Sequence, residues 1–529
     1  MSDMSEKTGP VGPWVKRESP KERRPGRLVT VFKAVVLLAL VAVTAYGMLN
    51  RGLYADELWL PVAAGVLALM VVTLLVRGYY QDMPRIGWIL VALMAALVGI
   101  KGLSLLWTVS EIETLKEFLR SSMYLGAFLM AMAALSSWRQ VGSMMDAAML
   151  VVAAVAGYGL LQKISPLQYP VYSVDDVSVD STLDYSNTLA TVLGMGVVLA
   201  LARLTQSNNV ALRGLLAALI LVFLTVLYLT ASRGGIASLG VAVVLMLVLS
   251  NYRLQMAANL LFVSVPGAWL VWRMQGLGAL WQADASDGQK LAAGVELRND
   301  LVIALVVAFA LQCGYALLVS RYDLTPLARR AIGGAFLALV AVAVLGGALL
   351  VADQYGGVGK AYDAILSDPR GDTGARQNLT SLSIGFREDY WKVAWEEWKQ
   401  HPLTGTGAGT FQYTWFRERP VDAGVKQVHN LYLEQGTETG LFAFLAMVGF
   451  SGLLVGYTAR QAWRSSGHRR LLLSGLVAAV VIYLLSSVIE WHWYLPPSTL
   501  LFFILSGVTV KMASWKEREQ PEKPYEERG

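Results

Sequence analysis

The chain has one cysteine, Cys313, and it lies inside an apolar run. An intrachain disulfide is therefore excluded. Charge is also scarce: Asp, Glu, Lys and Arg make up 16% of the 529 residues, against about 25% in a soluble domain. The net charge of +6 sits at the edges of apolar runs and forms no nucleic-acid surface. There are only four histidines, and no clustered His/Cys or Asp-x-Asp pattern marks a metal site. No metal or cofactor is expected. The first 27 residues are polar, and the apolar stretch after them lacks an A-x-A site, so no cleavable signal peptide is expected.

What is present is apolar length. Hydrophobic residues make up 55% of the chain, and runs near 20 residues recur, the length of one bilayer crossing. The reading is all-α: a polytopic integral membrane protein with about 14 transmembrane helices. The spans fall near 28–49, 58–76, 86–107, 118–136, 142–162, 185–203, 213–231, 234–251, 256–274, 300–319, 331–351, 433–459, 471–490 and 496–512. Residues 1–27 and 513–529 read as polar tails, the first rich in Pro and charge and expected to be disordered. Lys and Arg in the flanks set the orientation. The first tail holds Lys7, Lys16, Arg17, Lys21, Arg23, Arg24 and Arg27, and Arg77, Arg139, Arg253 and Arg460 fall on the same side. Loop 165–184 on the other side has Asp175, Asp176, Asp180 and Asp184 and no Lys or Arg. Both termini are thus expected in the cytoplasm, and 352–432, at about 80 residues, becomes a large helical external loop, a length usually tied to function.

On a helical wheel, Phe386, Tyr390, Trp391, Ala394, Trp395 and Trp398 cover one half of 386–399, and charges share the other. Arg387 falls in the apolar half. It snorkels to lipid headgroups, stacks on Trp391, or faces an anion at the helix start. Gly405, Gly407 and Gly409 alternate, which lets the backbone approach a ligand or a neighbouring helix. Arg233, in the turn TASRGG (230–235), is a headgroup anchor or a phosphate ligand. His429 stands at the last wet position before an apolar run, where it packs at the helix start or serves as a general base. Asn430 and Glu434 follow it, to orient the ring, bind a hydroxyl or cap.

Four stretches resemble the O-antigen ligase superfamily, which includes O-antigen polymerases and bacterial protein O-oligosaccharyltransferases. They are LDYSNTLATVLGMG (183–196), YLTASRGGIASL (228–239), FREDYWKVAWEEWKQHPLTGTGAGTF (386–411) and VHNLYLEQGTETGLFAFLAMVGF (428–450). The resemblance implies transfer of a glycan from an undecaprenyl-pyrophosphate carrier to a lipid A-core sugar, a glycan or a protein. The setting would be the external face of the bacterial cytoplasmic (inner) membrane, among membrane lipids. It implies that Arg233 and Arg387 hold the pyrophosphate, that His429 activates the acceptor, and that no metal takes part. Asn187, Tyr390, Trp391, Gly405, Gly407, Gly409, Asn430 and Glu434 lie in the matching stretches and are assigned to substrate binding. A transporter of lipid-linked sugars is the rival class. It would place ionisable residues at mid-membrane on broken helices, whereas Lys33, Lys101, Asp146, Lys163, Arg273 and Glu490 lie toward span ends.

Overall fold

A computed structural model describes residues 26–173, 175–321 and 385–515, with isolated positions between 334 and 360. Among the described residues there is no strand. The helices are α1 (Arg27–Leu49), α2 (Asp56–Leu75), α3 (Arg85–Leu103), α4 (Glu111–Ala134), α5 (Trp138–Ile164), α6 (Ser186–Gln206), α7 (Val210–Leu229), α8 (Arg233–Leu249), α9 (Arg253–Gly276) and α10 (Asp287–Arg321). After them come α11 (Arg387–Gln400), α12 (Phe411–Glu418), α13 (Leu431–Arg464), α14 (Gly467–Ser486) and α15 (Pro496–Ser514). Apolar segments of this length adopt helix because lipid offers no partner for backbone N–H and C=O groups.

Among the described residues, eleven helices are long and apolar enough to cross a membrane. Two further expected spans form helices of a different kind. Helix α8 is apolar but only 17 residues long. Helix α4 begins at Glu111 rather than near 118, because its charged first turns are paired: Lys116 with Asp56 at 2.7 Å, and Glu117 with Lys101 at 3.2 Å and with Arg120. The expected span 331–351 and most of the loop segment 352–384 lie outside the described residues. So do most of the two tails. Helix α10 is another correction. The expected loop 275–299 shrinks to a short connection, and helix starts at Asp287. Of the charges that masked it, Glu296 pairs with Arg273 of α9 at 3.6 Å, and the same arginine holds Asp300 at 2.8 Å.

Helices α6, α14 and α15 form the centre, with 94%, 89% and 94% of their apolar stretches buried. The start of α6, the end of α14 and the start of α15 converge with the loops of one face. Arg51 pairs with Asp184 at 2.7 Å, Val109 N–H donates to Thr406 O at 3.2 Å, and Val179 N–H donates to Leu229 O at 3.0 Å. The segment 487–495, between α14 and α15, lies at the middle of this face. Tyr54 packs edge-on against its Trp491.

Candidate functional site

Segment 487–495 is the scaffold. Glu490 is buried there, with a side chain 4% exposed. Its Oε1 accepts from Arg387 Nη2 at 2.5 Å, and its Oε2 accepts from the Tyr185 hydroxyl at 2.5 Å. Arg387 Nε also donates to the Ile489 carbonyl at 2.8 Å. Asn187 Nδ2 donates to the Tyr185 oxygen at 3.2 Å. The first residue of α11 is thus clamped to the α14–α15 connection, and the start of α6 braces the clamp. Two donors in one plane are what a guanidinium supplies and an ammonium does not.

His429 stands beside this clamp. Its backbone is left-handed, φ +57°, a conformation costly for a residue other than glycine and one that needs surrounding support. The support is explicit. Val428 N–H donates to Glu434 Oε2 at 3.0 Å, and Leu431 N–H to Ser487 O at 2.9 Å. Asn430 Oδ1 caps α13 by accepting from the N–H groups of Tyr432 (3.1 Å) and Leu433 (3.0 Å). Trp391 Nε1 donates to the His429 carbonyl at 3.4 Å. The imidazole lies 5.3 Å from the Tyr390 ring and 6.2 Å from that of Trp491.

The tautomer follows from one contact. Nδ1 lies 3.0 Å from the Gln427 carbonyl, and a carbonyl only accepts, so the Nδ1 proton donates to it and Nε2 carries the lone pair. Burial first, and the Arg387 charge second, hold the ring far below its usual pKa, at about 3. The His429 imidazole is therefore neutral.

Arg233 opens α8, whose start is capped by Ser232 Oγ accepting from Gly235 N–H at 3.2 Å. The turn packs tightly: a Cβ at Gly234 would lie 2.5 Å from Ile489 Cδ1, and one at Gly235 2.5 Å from Ala190 Cβ. Ile489 is also the residue whose carbonyl holds Arg387. The two arginine-bearing segments, distant in sequence, therefore meet at one residue beside Glu490.

The glycine run is used for approach to neighbouring helices. Gly407 N–H donates to Glu438 O (2.8 Å), Gly409 N–H to Glu438 Oε2 (2.7 Å) and Phe411 N–H to Glu438 Oε1 (3.0 Å). Gly405 has φ +61°, and a Cβ there would lie 2.2 Å from Glu438 C. Opposite, Gly440 breaks α13 with φ +77°, and Leu441 N–H donates to Pro402 O at 2.9 Å. Gly405→Ala is therefore expected to lower stability by about 2 kcal/mol or more, from strain and clash together. Thermal melting checks this; an unchanged melting temperature with lost activity would return the run to ligand binding.

Of the residues assigned to substrate binding, Asn430 and Glu434 thus shape the His429 turn, Tyr390 and Trp391 pack around it, and Asn187 supports Tyr185. Sequence reasoning missed Tyr185, Trp491 and His492, and the pairing of Glu490 with Arg387. His492 is buried, with Nδ1 2.7 Å from Thr188 Oγ1 and Nε2 2.7 Å from Ser486 Oγ. Their signal was the run EWHWY (490–494), polar and aromatic between two apolar spans. Further braces reach it from α4 and α13: Glu117 Oε2 accepts from Trp493 Nε1 at 3.2 Å, and Tyr494 donates to Glu434 Oε1 at 2.9 Å.

No curated protein matches the chain significantly. Residues 301–448, which carry Arg387, the glycine run, His429 and the first half of α13, match the O-antigen ligase family model.

Proposed function

We propose that the protein transfers an oligo- or polysaccharide from an undecaprenyl-pyrophosphate carrier to an acceptor hydroxyl at the external face of the cytoplasmic membrane. The observation that carries this reading is the His429 turn: a neutral imidazole with Nδ1 donated to Gln427 O, beside the clamped guanidinium of Arg387. Family and membrane-length helices support membrane glycosyl transfer in general; donor, acceptor and side are part of the proposal. The bond between the anomeric carbon and the pyrophosphate oxygen breaks, the acceptor oxygen bonds to that carbon, and the acceptor proton passes to His429 Nε2. Undecaprenyl pyrophosphate leaves. Arg387 and Arg233 balance its charge, and Glu490 with Ile489 O fixes the Arg387 fork. A bound pyrophosphate adds negative charge near His429, which raises the imidazole pKa toward a useful base.

Purified protein incubated with undecaprenyl-pyrophosphoryl glycan and one acceptor at a time tests this. A single shifted lipid or protein band indicates ligase or protein glycosyltransferase activity, and a ladder indicates polymerase. Intact donor with every acceptor would reject the proposal.

Two properties follow. Arginines, rather than a divalent cation, are proposed to meet the phosphates, so transfer should persist in excess EDTA. Activity lost to chelator and restored by Mg²⁺ or Mn²⁺ would contradict that role. A single displacement inverts configuration, so an α-linked donor should give a β-linked product by NMR. A retained configuration would require a protein nucleophile, with Glu490 and Glu434 the first carboxylates to test.

A further inference from the structure

Behind loop 165–185, the same face carries a pocket of about 300 Å³, set between that loop and the connection from α9 to α10. Lys163, in the last turn of α5, lines it and is 8% exposed. Its Nζ donates to the Leu280 carbonyl at 2.7 Å. An ammonium has three donors, and among the described residues this one has no other hydrogen bond and no carboxylate at ion-pair distance. Leaving a buried cation so poorly matched is costly. The floor beneath it is rigid, because Gly294 of α10 lies so close to α5 that a Cβ would come within 2.7 Å of the Lys163 carbonyl.

The remaining lining decides the ligand class. Lys290 adds a second cation, and Asp176 and Asp287 add two carboxylates, so the charges balance. Such a wall does not select a net anion. It offers donors and acceptors together, which suits hydroxyl groups that both donate and accept. Pro166, Leu167 and Pro170 add an apolar side fit for the C–H face of a sugar ring. The volume is at the small end of ligand pockets.

The pocket is tied to the Arg387 site through one loop. Gln162, on the pocket wall, donates to Asp180 Oδ1 at 2.7 Å and accepts from Ser181 N–H at 2.8 Å. Four residues later the same loop presents Tyr185 to Glu490.

We propose that this pocket is a saccharide subsite, taking one sugar unit of a glycan chain handled at His429, with Lys163, Asp176 and Asp287 as its polar contacts. The choice of a glycan rests on the transferase reading; the pocket and its polar complement do not.

The test is binding, measured apart from transfer. Full-length protein in phosphatidylcholine nanodiscs is mixed with methyl glycosides of a hexose, an N-acetylhexosamine and a hexuronic acid, and saturation transfer to the ring protons is recorded by NMR. At least one glycoside should receive saturation. Lys163→Met should weaken its binding about tenfold, the worth of a charged hydrogen bond. Asp287→Asn should do the same, and being exposed it leaves folding intact. His429→Ala should leave binding unchanged. Binding that survives both pocket variants but is lost in His429→Ala puts the sugar at the histidine and overturns the subsite. So does saturation of none of the three glycosides. Loss of saturation when phosphatidylglycerol replaces phosphatidylcholine makes a lipid headgroup the occupant and also overturns it. Pocket-dependent binding in a protein that transfers no glycan supports the subsite and rejects the transferase reading.

Discussion

Replacing His429 by Ala should lower glycan transfer by about 10²–10⁴-fold, the usual worth of a positioned acid–base group, with fold and donor binding retained. The residue sits in a left-handed turn, so a backbone effect has to be separated from a chemical one. His429→Asn does this, because Asn tolerates that backbone conformation yet cannot act as base. Both variants should be equally inactive. Transfer near the wild-type rate in either would remove His429 from the chemistry. The pH dependence adds a second signature. With the folded pKa held at about 3 by burial and by Arg387, the imidazole of the free protein stays neutral from pH 8 to 5. The transfer rate at low donor concentration should therefore show no loss near pH 6.5 from this group. Stability behaves differently. The unfolded chain takes up a proton near pH 6.5 that the folded turn refuses, so this contribution is full above pH 6.5 and declines as pH falls toward 3. Melting temperature should depend less steeply on pH over that window in His429→Asn than in wild type.

Arg387→Ala should abolish transfer and also destabilise the protein, by roughly 3–5 kcal/mol if Glu490 keeps its charge. The reason is the clamp: Glu490 is 4% exposed and its Oε1 is held by this guanidinium. Adding Glu490→Gln should restore much of the stability and none of the activity, which separates the structural role from the phosphate role. Arg387→Lys and Arg233→Lys keep charge without the planar fork and should weaken donor binding. Unchanged donor affinity in both would show that neither arginine meets the pyrophosphate.

The apolar spans were legible because length and composition suffice to identify a bilayer crossing. The amphipathic segment 386–399 was equally plain on a wheel and forms α11 at Arg387–Gln400. Misplaced boundaries had one cause. The first turns of α4 and α10 carry charges that a hydropathy reading takes for loop, and partners on other helices meet some of them: Lys101 and Asp56 pair with Glu117 and Lys116 of α4, and Arg273 with Glu296 and Asp300 of α10. Such pairing is a tertiary fact. The same holds for the candidate site. Arg233, Arg387 and His429 stood out as single residues in unusual places. Glu490 was visible only as an ionisable residue at a span end, because its contacts with Arg387 and Tyr185 reach across 103 and 305 positions of sequence. The glycine run was read as open to either a ligand or a helix, and only the packing against Glu438 distinguishes them.

In the proposed function, a lipid-linked glycan is cleaved from its carrier and joined to a hydroxyl activated by His429. The most direct measurement follows one donor, labelled in both glycan and lipid, with purified protein in sealed vesicles. Undecaprenyl pyrophosphate should appear in step with glycan-bearing acceptor in wild type, and neither should appear in His429→Ala. Intact donor moved across the bilayer without release of undecaprenyl pyrophosphate would contradict it and make the protein a transporter.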